Sequence, residues 1–289
     1  NNPLTYKKYK VFSTLYAEAM PIEGLTLRSQ FSVDYSHTTG FSVSYPEYSP
    51  NLQDGSAGRN SSDGLQLSIT NTINYNFSID DKHTFNFLLG HEGIDYHYED
   101  FQLTAKGQTS NKLTDIANAT RVTRWSDTRD NDYGYLSFFG RAEYSYANRY
   151  FVELAARTDA SSRFGKENRW GRFWSVGFMW NIRNERFMEN VSRWLTNAQF
   201  SVSTGTSGNS SIPNYEHLAL ISGGYDYIGN AGVAPSQQGT ENLRWEKPWT
   251  TNIGLHLGFW NRLQVDLEFY NKKTTDMLMQ VPQSYSDNG

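Results

Sequence analysis

The sequence predicts an all-β fold, an antiparallel up-and-down sheet of the kind that closes into a transmembrane β-barrel. Three observations support this prediction. Apolar and polar residues alternate with period two along much of the chain, as in strands with one apolar face. Short connections alternate with long polar ones, and aromatic residues gather beside the short connections. Outer-membrane barrels have tight turns at one end, long loops at the other and an aromatic girdle at each membrane surface.

The first four predicted strands lie before residue 96. Residues 9–20 and 25–35 form the first pair. Residues 65–79 show the clearest pattern, because an apolar side chain occupies almost every odd position from Leu65 to Ile79. A run of this length predicts a long strand with one apolar face. Residues 83–95 complete the group.

Six more strands are predicted in the rest of the chain, which brings the total to about ten. They cover residues 133–147, 150–158, 171–183, 198–206, 249–259 and 262–274. Helical periodicity is nearly absent. The exception is a short helix predicted from Asn184 to Leu195, which Asn184 would cap.

The connections between the predicted strands alternate in length. The short ones are residues 22–24, 80–82, 147–149 and 260–262. Long polar segments rich in Gly, Ser, Asn and Asp occupy residues 37–64, 96–132, 159–170 and 207–246. We therefore expect all the tight turns at one end of the sheet and all the long loops at the other.

The composition narrows the classes of function. The net charge is −4, with 26 Lys and Arg against 30 Asp and Glu, so no basic surplus indicates a nucleic-acid partner. There is no cysteine, which excludes a disulfide framework and cysteine-based metal sites. No apolar run is long enough for a transmembrane helix.

The stretch from Arg157 to Trp180, RTDASSRFGKENRWGRFWSVGFMW, resembles a landmark of the SusC/RagA family of TonB-dependent outer-membrane transporters. That family typically has RxDGSSRFG, then NRYG, then FPSxSxGW at this place. Ala160 stands where the family usually has Gly, and Trp174 where it often has Pro. Further blocks that resemble the family, in its order, lie at residues 16–35, 82–93, 138–159, 202–215 and 241–278. The resemblance thus covers nearly the whole chain.

The resemblance implies a transporter rather than an enzyme. SusC-like proteins import glycans, or in some cases peptides, through a 22-stranded barrel that holds a plug domain. A SusD-like lipoprotein covers the extracellular side, and TonB acts on a segment ahead of the plug. Because the chain has about ten strands and no candidate plug, we expect residues 1–289 to be a part of such a barrel domain. The expected location is the bacterial outer membrane, in contact with its lipid, and no cofactor is expected.

In each strand, the alternate positions that hold polar residues form one set, which we call the polar parity. Most of the candidate residues for the lumen or the solute path belong to it. The candidates are Arg28, Asp34, Glu153, Arg157, Asp159, Arg163, Asp266 and Glu268. In a barrel this parity faces the lumen, whereas the parity of Trp174, Val176, Phe178 and Trp180 faces lipid. Solvation and hydrogen bonding between strands are alternative roles for all the candidates, and Asp159 and Arg163 are also expected to hydrogen-bond the turn at 159–170.

Two clusters of carboxylates offer a different interpretation, since paired carboxylates serve in glycosidases and in calcium sites. The clusters are Asp95, Glu99 and Asp100, followed by Asp127, Asp130 and Asp132. The second cluster lacks the one-three-five ligand spacing and the closing Glu of an EF-hand. We therefore expect no catalytic and no metal site there, and favour a solvated loop, although the sequence leaves a bound cation open.

Two other classes of function fit parts of the pattern. One is a soluble carbohydrate-binding or glycoside-cleaving β protein, whose apolar parity would face a sandwich core. The other is a small outer-membrane barrel or adhesin, in which about ten strands would close around a narrow lumen. The aromatic residues near strand ends favour a membrane barrel, because a sandwich core would collect them at mid-strand.

Overall fold

The structure, a computed structural model, describes residues 2–48, 55–128, 131–191 and 193–279. In these ranges the regular structure is almost entirely β, as an eleven-stranded sheet and a separate two-stranded hairpin. The prediction of an all-β antiparallel sheet is confirmed. No helix among the described residues is long and apolar enough to span a membrane.

The strands follow one another along the chain with few crossovers. They are β1 (Leu4–Ile22), β2 (Leu25–Ser44), β3 (Gly55–Ile79), β4 (His83–Gln108), β5 (Arg121–Thr128), β6 (Tyr133–Tyr146), β7 (Tyr150–Ser161), β8 (Trp170–Asn181), β9 (Leu195–Thr206), β10 (Leu220–Tyr227), β11 (Asn230–Gln237), β12 (Lys247–Phe259) and β13 (Leu263–Thr275). The order across the large sheet is β1-β2-β3-β4-β6-β7-β8-β9-β12-β13, with β5 paired to β4 beside this path. All ten predicted strands are present, and β5, β10 and β11 are additional.

The chain divides into two compact units along the strands. Among the described residues, unit 1 comprises those within 1–16, 30–69 and 93–134. It contains β5 and the parts of β1 to β4 that lie away from the tight turns. Unit 2 comprises 17–29, 70–92 and the residues from 135 onward. It contains the remaining parts of β1 to β4, nearly all of β6, and β7 to β13.

Strands β2, β3 and β4 are much longer than predicted. The segments 37–64 and 96–132, predicted as loops, largely continue these strands and add β5. Cross-strand hydrogen bonds hold the extension in unit 1, where Asp63 accepts from Tyr35 Oη at 2.6 Å and lies 2.8 Å from Nδ1 of His37. The β3 extension, residues 55–64, shows no apolar alternation, and the alternating runs in the other two extensions, at 41–45 and 101–105, are only five residues long, so the pattern that identified the other strands did not extend these.

The tight turns lie where they were predicted. Three of them place two successive residues in the left-handed region, namely Asp80–Asp81, Ala147–Asn148 and Trp260–Asn261. A two-residue turn with positive φ at both positions matches the right-handed twist of the strands that it joins. These turns therefore fix the register of the hairpins β3–β4, β6–β7 and β12–β13.

The turn at Ala147 leads to a stability prediction. Ala147 has a φ of 49°, a conformation that costs an L-residue with a Cβ roughly 1–2 kcal/mol. We expect Ala147→Gly to raise the free energy of unfolding by about 1 kcal/mol in a denaturant titration of the membrane-reconstituted protein. The matched change Ala155→Gly, in the middle of β7, should lower it, since glycine weakens an extended strand. Equal effects of the two changes would contradict this explanation.

The helix predicted from Asn184 to Leu195 does not form. Residues Ile182–Asn184 and Arg186–Val191 are two short 3-10 helices, and β9 begins at Leu195. Asn184 ends the first of them, and its side-chain amide donates to the carbonyl oxygen of Asn148 at 2.9 Å. The segment links the neighbouring strands β8 and β9, and such short connectors commonly take 3-10 turns.

Strand register sorts the side chains of β6 to β9, β12 and β13 into two faces. Val152 lies opposite Phe178, whereas the next residue, Glu153, lies opposite Gly177. Residues directly opposite each other in antiparallel strands share a face. We call one side the apolar face, which includes Leu136, Phe138, Val152, Leu154, Val176, Phe178, Val202, Ile253, Leu255, Leu267 and Phe269. We call the other the polar face, which includes Ser137, Glu143, Glu153, Arg157, Asp159, Ser175, Ser203, Asn252, His256, Asp266 and Glu268.

Candidate functional site

The apolar face is open rather than packed against a second layer. Leu154, Leu267 and Phe269 are 50%, 57% and 65% exposed. In a soluble sandwich, side chains of this parity would be buried between two sheets. A continuous exposed apolar surface on strands indicates contact with lipid or with another apolar partner.

Aromatic side chains flank the apolar face at both ends. At the end with the tight turns, the ring centres of Tyr150 and Trp180 lie 6.4 Å apart. At the opposite end, Trp174 meets Trp249 edge to face at 5.9 Å. The stretch of β8 from Trp174 to Trp180 is about 20 Å long, and at the 35–45° tilt of barrel strands it covers about 15 Å of the roughly 25 Å apolar band of an outer-membrane barrel.

Arg157 is the centre of a hydrogen-bond network on the polar face. Its Nε donates to Asp159 at 2.6 Å, and its Nη2 donates to Ser137 at 3.0 Å and to Glu92 at 3.3 Å. The guanidinium carbon lies 5.3 Å from the ring centre of Phe139. Asp159 and Ser137 are buried, whereas the Arg157 side chain is 43% exposed, so these hydrogen bonds connect an exposed guanidinium to buried groups of the sheet.

Arg163 lies beyond the end of β7 and joins two loops. Its Nε donates to Asn214 at 2.8 Å, and its Nη1 donates to the carbonyl oxygen of Ser210 at 3.3 Å. Its backbone N–H donates to Ser161 Oγ at 3.3 Å, as expected for a residue that hydrogen-bonds its own turn. The sequence did not indicate the bonds to the 207–219 segment, because their partners lie about fifty residues away.

A buried aromatic cluster lies next to these loops. Phe164 and Phe173 both pack against Trp245, with ring centres 5.1 Å and 5.6 Å away. Trp245 Nε1 donates to the carbonyl oxygen of Arg169 at 2.9 Å. A Cβ at Gly208 would overlap the ring of Phe173, so a side chain there would displace the ring. Sequence reasoning missed this cluster, although the Phe of the RFG landmark is one of its members.

The remaining sequence candidates lie on strands. Glu153, Asp266 and Glu268 are on the polar face, as predicted from parity. Asp266 contacts Nδ1 of His256 at 2.7 Å. In unit 2, Arg28 lies 3.8 Å from Glu18. In unit 1, Asp34 lies 2.8 Å from Lys10. Ion pairs as exposed as these contribute at most about 1 kcal/mol to stability.

Members of the two carboxylate clusters contact a neighbouring side chain or lie on paired strands. Asp132 contacts Nδ1 of His97 at 2.6 Å. Asp127 lies on β5 opposite Phe101 of β4. Asp130 lies outside the described residues. Among the residues that are described, no group of three or more His, Cys, Asp or Glu side chains is placed to hold a metal ion.

Glu185, which the sequence did not single out, organises the connection between β8 and β9. Its Oε1 accepts hydrogen bonds from Tyr150 Oη at 2.6 Å and from Trp180 Nε1 at 3.1 Å. Arg149 lies 3.6 Å from Oε2. The hydrogen bond from Tyr150, helped by that from Trp180 and by the charge of Arg149, lowers the pKa of the Glu185 carboxyl. The carboxylate therefore ties two strands to the 3-10 segment at the tight-turn end.

This network makes a prediction about pH. A carboxyl whose pKa is lowered on folding stabilises the fold at pH values above its unfolded pKa, and the stabilisation is lost as pH falls through the folded value. We expect the free energy of unfolding of the wild type to decrease as the pH falls below the ordinary carboxyl range. In Glu185→Gln part of this decrease should be absent. Free energies of unfolding measured at several acidic pH values for both proteins test this. A pH dependence that is identical in Glu185→Gln would contradict it.

Taken together, the exposed apolar face, its aromatic ends and the charged polar face are the features of a wall segment of a transmembrane β-barrel. The family model described as "TonB dependent receptor-like, beta-barrel" matches residues 6–289. The chain belongs to this family.

Named relatives make the resemblance more specific. TonB-dependent receptor P39 of Formosa agariphila is 29% identical over 294 residues, which cover 98% of this chain and 28% of the relative. TonB-dependent receptor SusC of Bacteroides thetaiotaomicron is 32% identical over 207 residues, 68% of this chain and 20% of the relative. The structure titled "Structure of the RagAB peptide transporter" matches with a TM-score of 0.89 and 35% identity, over 100% of this chain and 32% of that chain. The similarity to SusC and RagA is confirmed, and the chain spans a third or less of these proteins.

Proposed function

We propose that the chain forms part of the barrel wall of a SusC-like TonB-dependent importer in the bacterial outer membrane. Residues 1–289 would belong to one barrel domain, with the apolar face against lipid and the polar face towards the solute path. One observation carries the proposal most strongly: in a chain of this family, a single sheet has an exposed apolar face and a charged polar face. A strand protein can cross lipid only if its backbone is satisfied within a closed barrel.

The proposed solute is an oligopeptide or a glycan. The RagAB match is named a peptide transporter, whereas the SusC relative is named only as a TonB-dependent receptor. We further propose that a SusD-like lipoprotein covers the extracellular side and that TonB acts through a part of the protein outside this chain. The eight candidate residues would then serve the wall or the solute path, with Arg157 and Arg163 holding the wall.

The function is tested in the native bacterium by deleting the full-length gene. We expect the deletion to abolish uptake of fluorescent oligopeptides or of fluorescent oligosaccharides, and a plasmid copy of the gene to restore it. A protonophore should stop uptake in the wild type, because TonB draws on the inner-membrane proton gradient. Unchanged uptake of both solute classes in the deletion strain, or uptake that survives the protonophore, would exclude this function.

A further inference from the structure

A shallow hollow of about 660 Å³ lies on the apolar face, across β4 and β6 to β8. Strand register explains its floor, because Gly140 lies directly opposite Ala156 and neither residue has a large side chain. Leu89, Phe138 and Trp170 are exposed and form its apolar walls. All the lining residues belong to unit 2. The hollow is therefore a gap in the outer surface of one continuous part of the sheet.

The lining of the hollow contains a basic residue of the apolar face, Arg172. It lies opposite Thr158, which in turn lies opposite Phe138, so all three share the apolar face. The Arg172 side chain is exposed, and within the described residues it makes no hydrogen bond or ion pair. An arginine on this face therefore has no anion from the described part of the chain to neutralise it.

Arg172 lies at the level where a bilayer changes from hydrocarbon to head groups. It follows β8 two residues beyond Trp174, towards the 159–170 loop, and Trp174 and Trp249 mark that end of the apolar face. Aromatic girdles of barrels lie at the membrane surface. The stem of an arginine there can lie along apolar surface while its guanidinium reaches the head groups. The apolar hollow and the charge thus match the two parts of a lipid.

The position of the hollow in the sheet indicates what covers it. Strands β1 to β3 lie on one side of it, and β9, β12 and β13 lie on the other. Further strands of the full-length protein, added at either edge of the sheet, would not reach it. A domain inside the barrel would lie against the opposite, polar face. Lipid is therefore the occupant that the surroundings of the apolar face offer.

We propose that the hollow binds an acyl chain of a lipid whose phosphate group is bound by Arg172. The guanidinium fork matches two oxygens of a phosphate and carries the opposite charge. Leu89, Phe138 and Trp170 contact the chain, and the small residues Gly140 and Ala156 provide its space. The inference rests on the proposed placement of the apolar face against lipid. It goes beyond that placement, since it assigns one bound lipid of defined charge to one site.

Four substitutions separate the two parts of the site. Ala156→Leu fills the hollow, and Ala142→Leu is its matched control, because Ala142 is also on the apolar face but outside the hollow. Arg172→Gln removes the charge of the site. Lys273→Gln is its matched control, because Lys273 is an exposed basic residue at the same end of the apolar face but lies on β13, outside the hollow.

The test uses the full-length protein in a neutral detergent and two lipids, dipalmitoyl phosphatidic acid and dipalmitoylglycerol, which differ only in the phosphate. Native mass spectrometry during a titration counts the bound lipid. We expect the wild type and both controls to bind the phosphatidic acid at least about tenfold more tightly than dipalmitoylglycerol, as charge-assisted hydrogen bonds allow. Arg172→Gln should bind the two lipids equally. Ala156→Leu should weaken the binding of both by about tenfold, because it removes apolar contact with the chain.

Four results would overturn the inference. The wild type could bind the two lipids equally, or the preference for phosphate could survive in Arg172→Gln. An equal loss of preference in Lys273→Gln would show only a general attraction of anions to a basic surface. A wild-type dimer that Ala156→Leu converts to a monomer, with lipid binding unchanged, would assign the hollow to a second copy of the chain. Failure of the import function is separate, because it appears as unchanged uptake in the deletion strain whatever the two lipids do.

Discussion

Replacing Phe178 by Arg should lower the free energy of unfolding by about 2–4 kcal/mol, the cost of a basic residue near the midplane of a barrel's lipid face. Phe178 lies on the apolar face, opposite Val152 on one side and Val202 on the other. Trp174 and Trp180 bracket it along β8, so it lies within the proposed lipid band. Denaturant titration of the full-length protein in lipid vesicles would measure the change.

The neighbouring residue provides the control. Gly177 is on the opposite face, and a Cβ there meets only the Cβ of Glu153, at 3.8 Å. Gly177→Ser should therefore change the free energy of unfolding by less than about 0.5 kcal/mol, as for surface substitutions elsewhere. If Gly177→Ser and Phe178→Arg had equal effects, the assignment of the two faces would be wrong.

The contrast between Phe178 and Gly177 also shows what the sequence could predict. Side chains alternate from one side of a strand to the other. When one side is apolar, this alternation therefore predicts the face on which each residue of the strand lies. The ten strands of the main path and their tight turns could therefore be predicted before the structure. The extension of β3 back to Gly55 could not, since its residues are polar on both parities and depend on cross-strand bonds such as those of Asp63.

The candidate site divides in the same way. Parity placed Glu153, Arg157 and Asp266 correctly on the polar face, but it could not distinguish a paired charge from an unpaired one. Arg157 donates hydrogen bonds to Asp159 and Glu92, whereas Glu153 faces the space beside Gly177. That difference depends on which side chains lie opposite each other in adjacent strands. Strand register cannot be predicted from the sequence of either strand alone.

Truncating Trp245 to Ala should have an effect as large as that of a charge in the lipid face. Trp245 is only 5% exposed, packs against Phe164 and Phe173, and donates to the carbonyl oxygen of Arg169. Removal of a buried Trp or Phe side chain typically costs about 3–5 kcal/mol. We expect a loss of this size in the free energy of unfolding, together with faster proteolysis within residues 207–246, because the ring holds that segment against the end of β8.

Two other substitutions serve as controls for the loss of the Trp245 ring. Trp245→Phe keeps most of the packing but leaves the Arg169 carbonyl without its donor, so it should cost only about 1–3 kcal/mol. Trp125→Ala removes a ring that is 70% exposed on β5, so its effect should stay near that of an ordinary surface change. Proteolysis at 207–246 that is as fast in Trp125→Ala as in Trp245→Ala would show that the cluster does not hold the loop. If one buried ring joins the RFG landmark to the segment before β12, proteolysis at 207–246 should be fastest in Trp245→Ala, slower in Trp245→Phe and slowest in Trp125→Ala.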